Sequence, residues 1–292
     1  MLFLKNDKSF YKKKSSLNLN GKLINLNAPM VMGILNVTPD SFYDGGVYIT
    51  ESAIKKRAAQ IIDEGGQFID IGAMSTKPGA VEISLQEELD RLLPAVKTVR
   101  AEFPEASLSV DTYRSEVVNA VYTEIGGFIV NDISGGTFDT NMFEAVAKLH
   151  LPYILMHSKG KSDKMQNLPI YEDVVKEVVL FLSTQVQKLR RLGVCDIIID
   201  PGFGFGKTVD HNFEILNRLD AFKIFELPVL VGVSRKTMIW RTLDISPEES
   251  LNGTTVLNTL ALSGGCDILR VHDVKAAVET IKLVSKIKSI AK

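Results

Sequence analysis

Cysteine is nearly missing from this chain: Cys195 and Cys266 are the only two in 292 residues, each in a Gly-x-Cys-Asp corner between a helix-like and a strand-like stretch. A sparse pair without ligand spacing excludes a disulfide framework and a cysteine-based metal site. It points to reduced, structural thiols in a reducing compartment. No set of His, Cys and Glu has zinc spacing either. The formal net charge is -1, so no global field draws in nucleic acid or an anionic membrane. No apolar run nears the roughly 20 residues of a spanning helix. The opening run Met1-Leu2-Phe3-Leu4 stops at Lys5-Asn6-Asp7, too early for a signal peptide. The expectation is a cytoplasmic protein with no membrane and no nucleic-acid partner.

Several familiar motifs are also missing. Gly202-Phe203-Gly204-Phe205-Gly206-Lys207-Thr208 ends like a phosphate-binding loop, but Pro201 stands where that loop needs glycine. The same stretch fails as a dinucleotide fingerprint because its last glycine comes one residue early. Asn252-Gly253-Thr254 matches a glycosylation sequon without secretory context. Nothing resembles a nucleophile elbow. Lys12-Lys13-Lys14 reads as a solvated segment, and His150 and His211 read as surface or packing residues.

What the chain does have is a repeated unit, an apolar run that ends in a polar residue and is followed by a helix-like stretch. Pro228-Val229-Leu230-Val231-Gly232-Val233 reads as a strand buried on both faces, and it breaks into Ser234-Arg235-Lys236-Thr237, which no buried strand tolerates. Similar runs are Met30–Asn36, Phe68–Ala73, Leu108–Asp111, Phe128–Ile133, Tyr153–His157, Asp196–Asp200 and Ile268–Asp273. The expected helices span about Glu51–Glu64, Ser84–Glu102, Tyr171–Leu192, His211–Phe225 and Leu251–Leu262, with others before Gly126, from Asn141 and from Val274. Ser84 with Glu87 fits a capping box. Roughly eight such units in this length predict a single-domain α/β fold, a (β/α)8 barrel over residues 29–292. The polar segment 1–28 is a short N-terminal extension, whose Leu23–Leu26 alternation suits a strand or hairpin closing the barrel's bottom.

In such a barrel the strand ends meet on one face. The rim candidates are Asn36, Asp111, Asn131, His157, Asp200, Lys236, Arg270 and His272. Asp132 and Asp273 read as caps of the following loops and helices. Asp70 is harder to place and could point toward a helix. Asp111, Asn131 and Asp200 suit a flat heterocycle with adjacent N–H donors, such as a pterin or guanine edge, with Lys236 on a ring oxygen or nitrogen. Arg270, His272 and Lys77 suit a phosphate or diphosphate. Asn36, a neutral oxygen ligand, could hold Mg²⁺ on that diphosphate.

The motifs at these strand ends carry a resemblance. Met32–Phe42, Ser75–Gly79, Val110–Thr112, Val130–Gly136, Met156-His157, Asp200–Lys207, Ser234-Arg235-Lys236 and Arg270–Asp273 together resemble the bacterial dihydropteroate synthase family, in order and over nearly the whole chain after residue 28. The resemblance implies a transferase of folate biosynthesis, commonly a homodimer, on a (β/α)8 barrel. It would join 6-hydroxymethyl-7,8-dihydropterin diphosphate to 4-aminobenzoate, giving 7,8-dihydropteroate and diphosphate by an SN1-like route. Asp111, Asn131, Asp200 and Lys236 are then implied as pterin ligands. Asn36, Arg270 and His272 are implied for the diphosphate, with Asn36 as ligand of Mg²⁺. Thr76, Pro78, Phe205, Lys236 and Thr237 are implied for the aminobenzoate, which sulfonamides would mimic. Asp111, Lys236, Arg270 and Asp40 form the implied catalytic group, with Asp40 assisting the aniline. The loops Val37–Gly46 and Met74–Gly79 would close over the site.

The chain departs from the family pattern at Met74 (usually Glu), Lys77 (usually Arg), Thr237 (often Ser) and Trp240 (commonly Gly). Lys77 keeps the charge but loses the fork. Trp240 is expected to affect helix packing or a dimer surface. The competing readings are a pterin-dependent methyltransferase relative, which should lack the diphosphate set, and a catalytically silent pterin-binding protein.

Overall fold

The computed structural model describes residues 13–38, 50–74, 82–160 and 170–290. Asp40, Thr76, Lys77 and Pro78, and most of the two loops that carry them, lie outside the described residues.

The chain begins with an antiparallel hairpin, β1 (Ser16–Leu19) and β2 (Lys22–Asn25). Eight parallel strands follow among the described residues: β3 (Met30–Asn36), β4 (Phe68–Gly72), β5 (Ser107–Asp111), β6 (Ile129–Asp132), β7 (Tyr153–Met156), β8 (Ile197–Asp200), β9 (Leu230–Val231) and β10 (Ile268–Val271). Their order is β8-β7-β6-β5-β4-β3-β10-β9, and a parallel bridge between Ile199 and Val229 joins the two ends. The fold is the (β/α)8 barrel that the repeated unit predicts.

Side chains alternate along each strand. The outward set, such as Val31, Ile71, Val110, Leu155 and Leu269, packs under the helices in the larger hydrophobic cluster. The inward set begins with Met32, Phe68, Ile129, Ile154, Ile198, Leu230 and Ile268, which form a second cluster with Leu17, Leu19, Ile24 and Leu26 of the hairpin. The hairpin therefore plugs the floor of the barrel with apolar side chains. Two residues further up β4, β6, β8 and β10 the inward layer turns polar, with Asp70, Asn131, Asp200 and Arg270. Apolar below and polar above is the division that puts chemistry at the C-terminal mouth.

The helices are α1 (Glu51–Asp63), α2 (Leu85–Glu102), α3 (Ser115–Ile125), α4 (Met142–Leu149), α5 (Val174–Arg191), α6 (Val209–Asn217), α7 (Thr237–Leu243), α8 (Leu251–Gly264) and α9 (Val274–Ile290). Three details differ from expectation. The helix expected over His211–Phe225 divides into α6 and a 3-10 helix, Leu219–Phe225, whose buried Leu219 and Phe222 are spaced by three; that spacing suits a three-residue turn. At α2, Ser84 Oγ accepts from the Glu87 amide, but the Glu87 carboxylate goes to Arg91 one turn on, so the capping box is half formed. A reciprocal box forms instead at α6, between Thr208 and His211. The seventh strand is only the two residues of β9, because the chain turns early toward Ser234.

Candidate active site

Arg270, on the inward face of β10, occupies the centre of the polar layer. Its Nε donates to Asp70 Oδ2 and its Nη2 to Asp111 Oδ2, both at 2.7 Å. Asn131 Nδ2 donates to the same Asp70 oxygen at 3.0 Å. Four side chains from four strands thus form one network. Burial pushes Asp111 up to about 7 against the pull of Arg270, and Asp70 beside it adds to the rise. Against the cost of burial, the two carboxylates hold Arg270 above its ordinary value.

Asp200, at the end of β8, accepts from the Gly202 amide at 2.7 Å through Oδ1. Burial raises its pKa against the pull of Lys236. Lys236 stands at the N-cap of α7. Its ammonium donates to the Phe203 carbonyl and lies 4.5 Å from the centre of the Phe205 ring. Burial lowers Lys236 to about 8 against the charge of Asp200.

Above this layer opens a cleft of about 1040 Å³, lined by Asn36, Asp111, Phe205, Lys236, Arg270 and His272 among others. Thr237, Met74 and Trp240 also line it, so Trp240 contributes to the cleft wall. Asn131 and Asp200 are buried beneath the lining. His272 follows β10, and its Nδ1 lies 3.0 Å from Ser234 Oγ. Burial, then the charges of Arg270 and Arg235, depress it to about 4. No group of three or more His, Cys, Asp and Glu among the described residues could hold a metal ion. Asn36 lines the cleft beside the carboxylates of Asp111 and Asp273.

One expected rim residue, His157, has another duty. His157 faces away from the cleft, edge-on to Phe181 at 5.0 Å, with Nδ1 2.9 Å from Lys207 Nζ. Burial and the neighbouring Lys207 depress it to about 2. Asp273 spends its carboxylate on Arg235, through bonds of 2.8 and 3.1 Å, rather than on a helix amide. Asp132 takes the Ser134 and Gly136 amides and the Tyr153 hydroxyl.

Three side chains at the site carry little signal in the sequence. Asp70 shares the inward parity of Phe68 in an otherwise apolar strand. Lys207 sits in the stretch that only partly matches a phosphate-binding loop. Its ammonium is wrapped by the carbonyls of His157, Gly202 and Phe205 at 3.2, 2.8 and 3.1 Å, and so shapes the loop that presents Phe203 and Phe205 to Lys236. Arg57 of α1 lines the cleft and donates to the carbonyls of Ile34 and His272; its helical position gives no signal in the sequence.

The family profile described as pterin binding enzyme matches residues 32–272. The chain belongs to the pterin binding enzyme family. Relatives carry the name dihydropteroate synthase. That of Escherichia coli K12 is 42% identical over 266 residues, 90% of this chain and 93% of the relative. The Yersinia pestis dihydropteroate synthase, solved as a sulfonamide drug complex, superposes with a TM-score of 0.88 at 39% identity, covering 94% of this chain and 99% of that one. The Xanthomonas albilineans dihydropteroate synthase, solved with 4-aminobenzoic acid, gives a TM-score of 0.87 at 36% identity, covering 94% of this chain and 98% of that one. In this pterin binding enzyme, as in those relatives, the barrel accounts for nearly the whole chain.

Proposed function

We infer that this chain is a dihydropteroate synthase, a transferase joining the pterinylmethyl group of 6-hydroxymethyl-7,8-dihydropterin diphosphate to 4-aminobenzoate, with release of diphosphate. The observation that carries the reading is the joining of two unlike recognition sets at one mouth. Asp111, Asn131, Asp200 and Lys236 form one set, and Arg270, His272 and Asn36 line the same cleft beside them.

The first set suits the pterin. Asp111 and Asp200 accept from its N–H groups, Asn131 offers an amide, and Lys236 donates to a ring heteroatom. Arg270 and His272 hold the diphosphate. Asn36 fits Mg²⁺, which takes few protein oxygens and keeps most of its waters; bound there, it would neutralise charge on the leaving group. As diphosphate departs, the pterin methylene becomes cationic. In its ionised form Asp111 stabilises the developing cation. The aniline nitrogen then attacks, with no enzyme nucleophile required. Phe205 and Thr237 wall the aminobenzoate side, to which Thr76 and Pro78 are also assigned, and Asp40 is assigned to assist the aniline. Sulfonamides compete at this side as aminobenzoate mimics.

The protein is proposed to act as a homodimer in the cytoplasm. Leu251 and Val256 on α8 and Leu283 and Ile287 on α9 are large, exposed and apolar, which supports a paired face. Both cysteines are free thiols, in keeping with a reducing compartment. No helix among the described residues is long and apolar enough to cross a membrane. Purified protein given dihydropterin diphosphate, 4-aminobenzoate and Mg²⁺ should release diphosphate and form labelled pteroate in equal amounts, and both should vanish in Asp111→Asn. Pterin binding without turnover would overturn the synthase reading.

A further inference from the structure

His272 is held at three points. Arg57 Nη2 donates to its carbonyl at 2.6 Å, its own amide donates to Ser234 Oγ at 3.2 Å, and its Nδ1 lies 3.0 Å from that same oxygen. Ser234 comes from the turn after β9 and is buried, while both residues line the cleft. The hydroxyl already accepts from the His272 amide. Its own hydrogen then has one acceptor among the described residues, the Nδ1 lone pair. The opposite arrangement, with the proton on Nδ1, would make the oxygen accept twice and leave a buried hydroxyl hydrogen unpaired, which costs free energy. Among the described residues Nε2 meets no partner.

We propose that Ser234 is a positioning residue that fixes His272 as the Nε2–H tautomer, so that a neutral imidazole donates a hydrogen bond to an oxygen of the departing diphosphate. The proposal rests on the synthase reading for the ligand, but not for the tautomer. The charges acting on the ring are those of Arg270 on β10, Arg235 after β9, Asp273 just before α9 and Arg57 on α1. Burial and the three cations keep the imidazole neutral, while Asp273 favours the charged form. A neutral donor beside Arg270 would grip the anion without adding a further fixed charge that slows its release.

The test uses ¹⁵N-histidine protein at pH 7, with the His272 signals assigned by their absence in His272→Gln. The wild type should show a pyridine-type Nδ1 and a pyrrole-type Nε2, and inorganic diphosphate should move the Nε2–H signal. Ser234→Ala should give a mixture of tautomers and raise KM for the pterin diphosphate about two- to threefold, the reciprocal of the remaining share of the Nε2–H form, with KM for 4-aminobenzoate unchanged. Ser234→Thr, which keeps the hydroxyl, should restore both readouts. A pyrrole-type Nδ1 in the wild type, or a Ser234→Ala protein with unaltered tautomer and KM, would overturn the proposal. Formation of pteroate by the wild type checks the synthase reading separately, since the tautomer is read without substrate.

Discussion

Arg270 Nη2 donates to Asp111 Oδ2 at 2.7 Å, tying β10 to β5 across the barrel mouth. Strands β3 and β4 lie between them in the sheet, so the bond crosses the interior instead of following the strand ladder. Asp70, on β4, takes the other arm of the guanidinium. Asp70→Ala should therefore leave Arg270 with Asp111 as its one carboxylate partner and take the acceptor from Asn131 Nδ2. Unpairing a buried charge costs about 3–5 kcal/mol, so urea unfolding should show a loss of that order, with turnover lost as well. A variant as stable as the wild type would mean that Asp111 alone holds Arg270.

Lys236 touches the Phe203 carbonyl and the Phe205 ring at once. Removing the ammonium in Lys236→Met should lower kcat/KM by roughly a hundredfold or more, the scale of a lost preorganised donor. Lys236→Arg should not rescue it, because the planar fork needs a different cavity from a compact ammonium. Steady-state kinetics with both substrates decides the point.

The turn after β8 needs glycine for two separable reasons. Gly202 has φ +75°, and a Cβ there would sit 1.9 Å from the His157 carbonyl oxygen. Gly204 has φ +80°, but its Cβ would meet the flexible Lys236 Cδ, at 3.0 Å. Gly202→Ala should prevent the turn from forming and lower the melting temperature sharply. Gly204→Ala should cost only about 1–2 kcal/mol for its left-handed backbone and raise KM by displacing Lys236. Equal stability losses in the two variants would contradict this separation.

His157 is buried as a neutral base, with its pKa depressed to about 2. The unfolded chain takes up a proton at this histidine near its ordinary 6.5, and the folded chain does not until far lower. Stability owed to the neutral ring is thus complete above about pH 6.5 and is lost as pH falls toward 2. Against His157→Gln, the wild type should lose roughly 1.4 kcal/mol per pH unit between pH 6 and pH 4. Parallel stability–pH curves would show that His157 titrates alike in the folded and unfolded chains.

Leu17 of the floor hairpin is fully buried beneath the barrel. Leu17→Ala should cost about 2–5 kcal/mol while leaving kcat unchanged, because the apolar layer separates it from the polar one. A fall in kcat at full folding would show that the floor transmits strain to Asp70 and Arg270.

The eight strand runs were legible because a parallel sheet covered on both faces needs unbroken apolar stretches, and Asp111, Asn131, Asp200, Lys236 and Arg270 stand where those stretches break. Asp70 was not legible as a site residue, since its strand does not break there and only the barrel's parity turns it inward toward Arg270. His157 shows the converse: a strand-end histidine next to a glycine-rich loop, drawn off to Lys207 by a contact across 50 positions of sequence.

Local pattern alone therefore determined the repeated unit, the barrel and the chemical types gathered at its mouth, because apolar periodicity and breakpoints are properties of neighbouring residues. Tertiary structure alone decided which side chains share a charge. Arg270 meets Asp70 from 200 positions away and Asp111 from 159, and only closure of the barrel brings such groups within hydrogen-bonding distance in a medium that penalises any of them left alone.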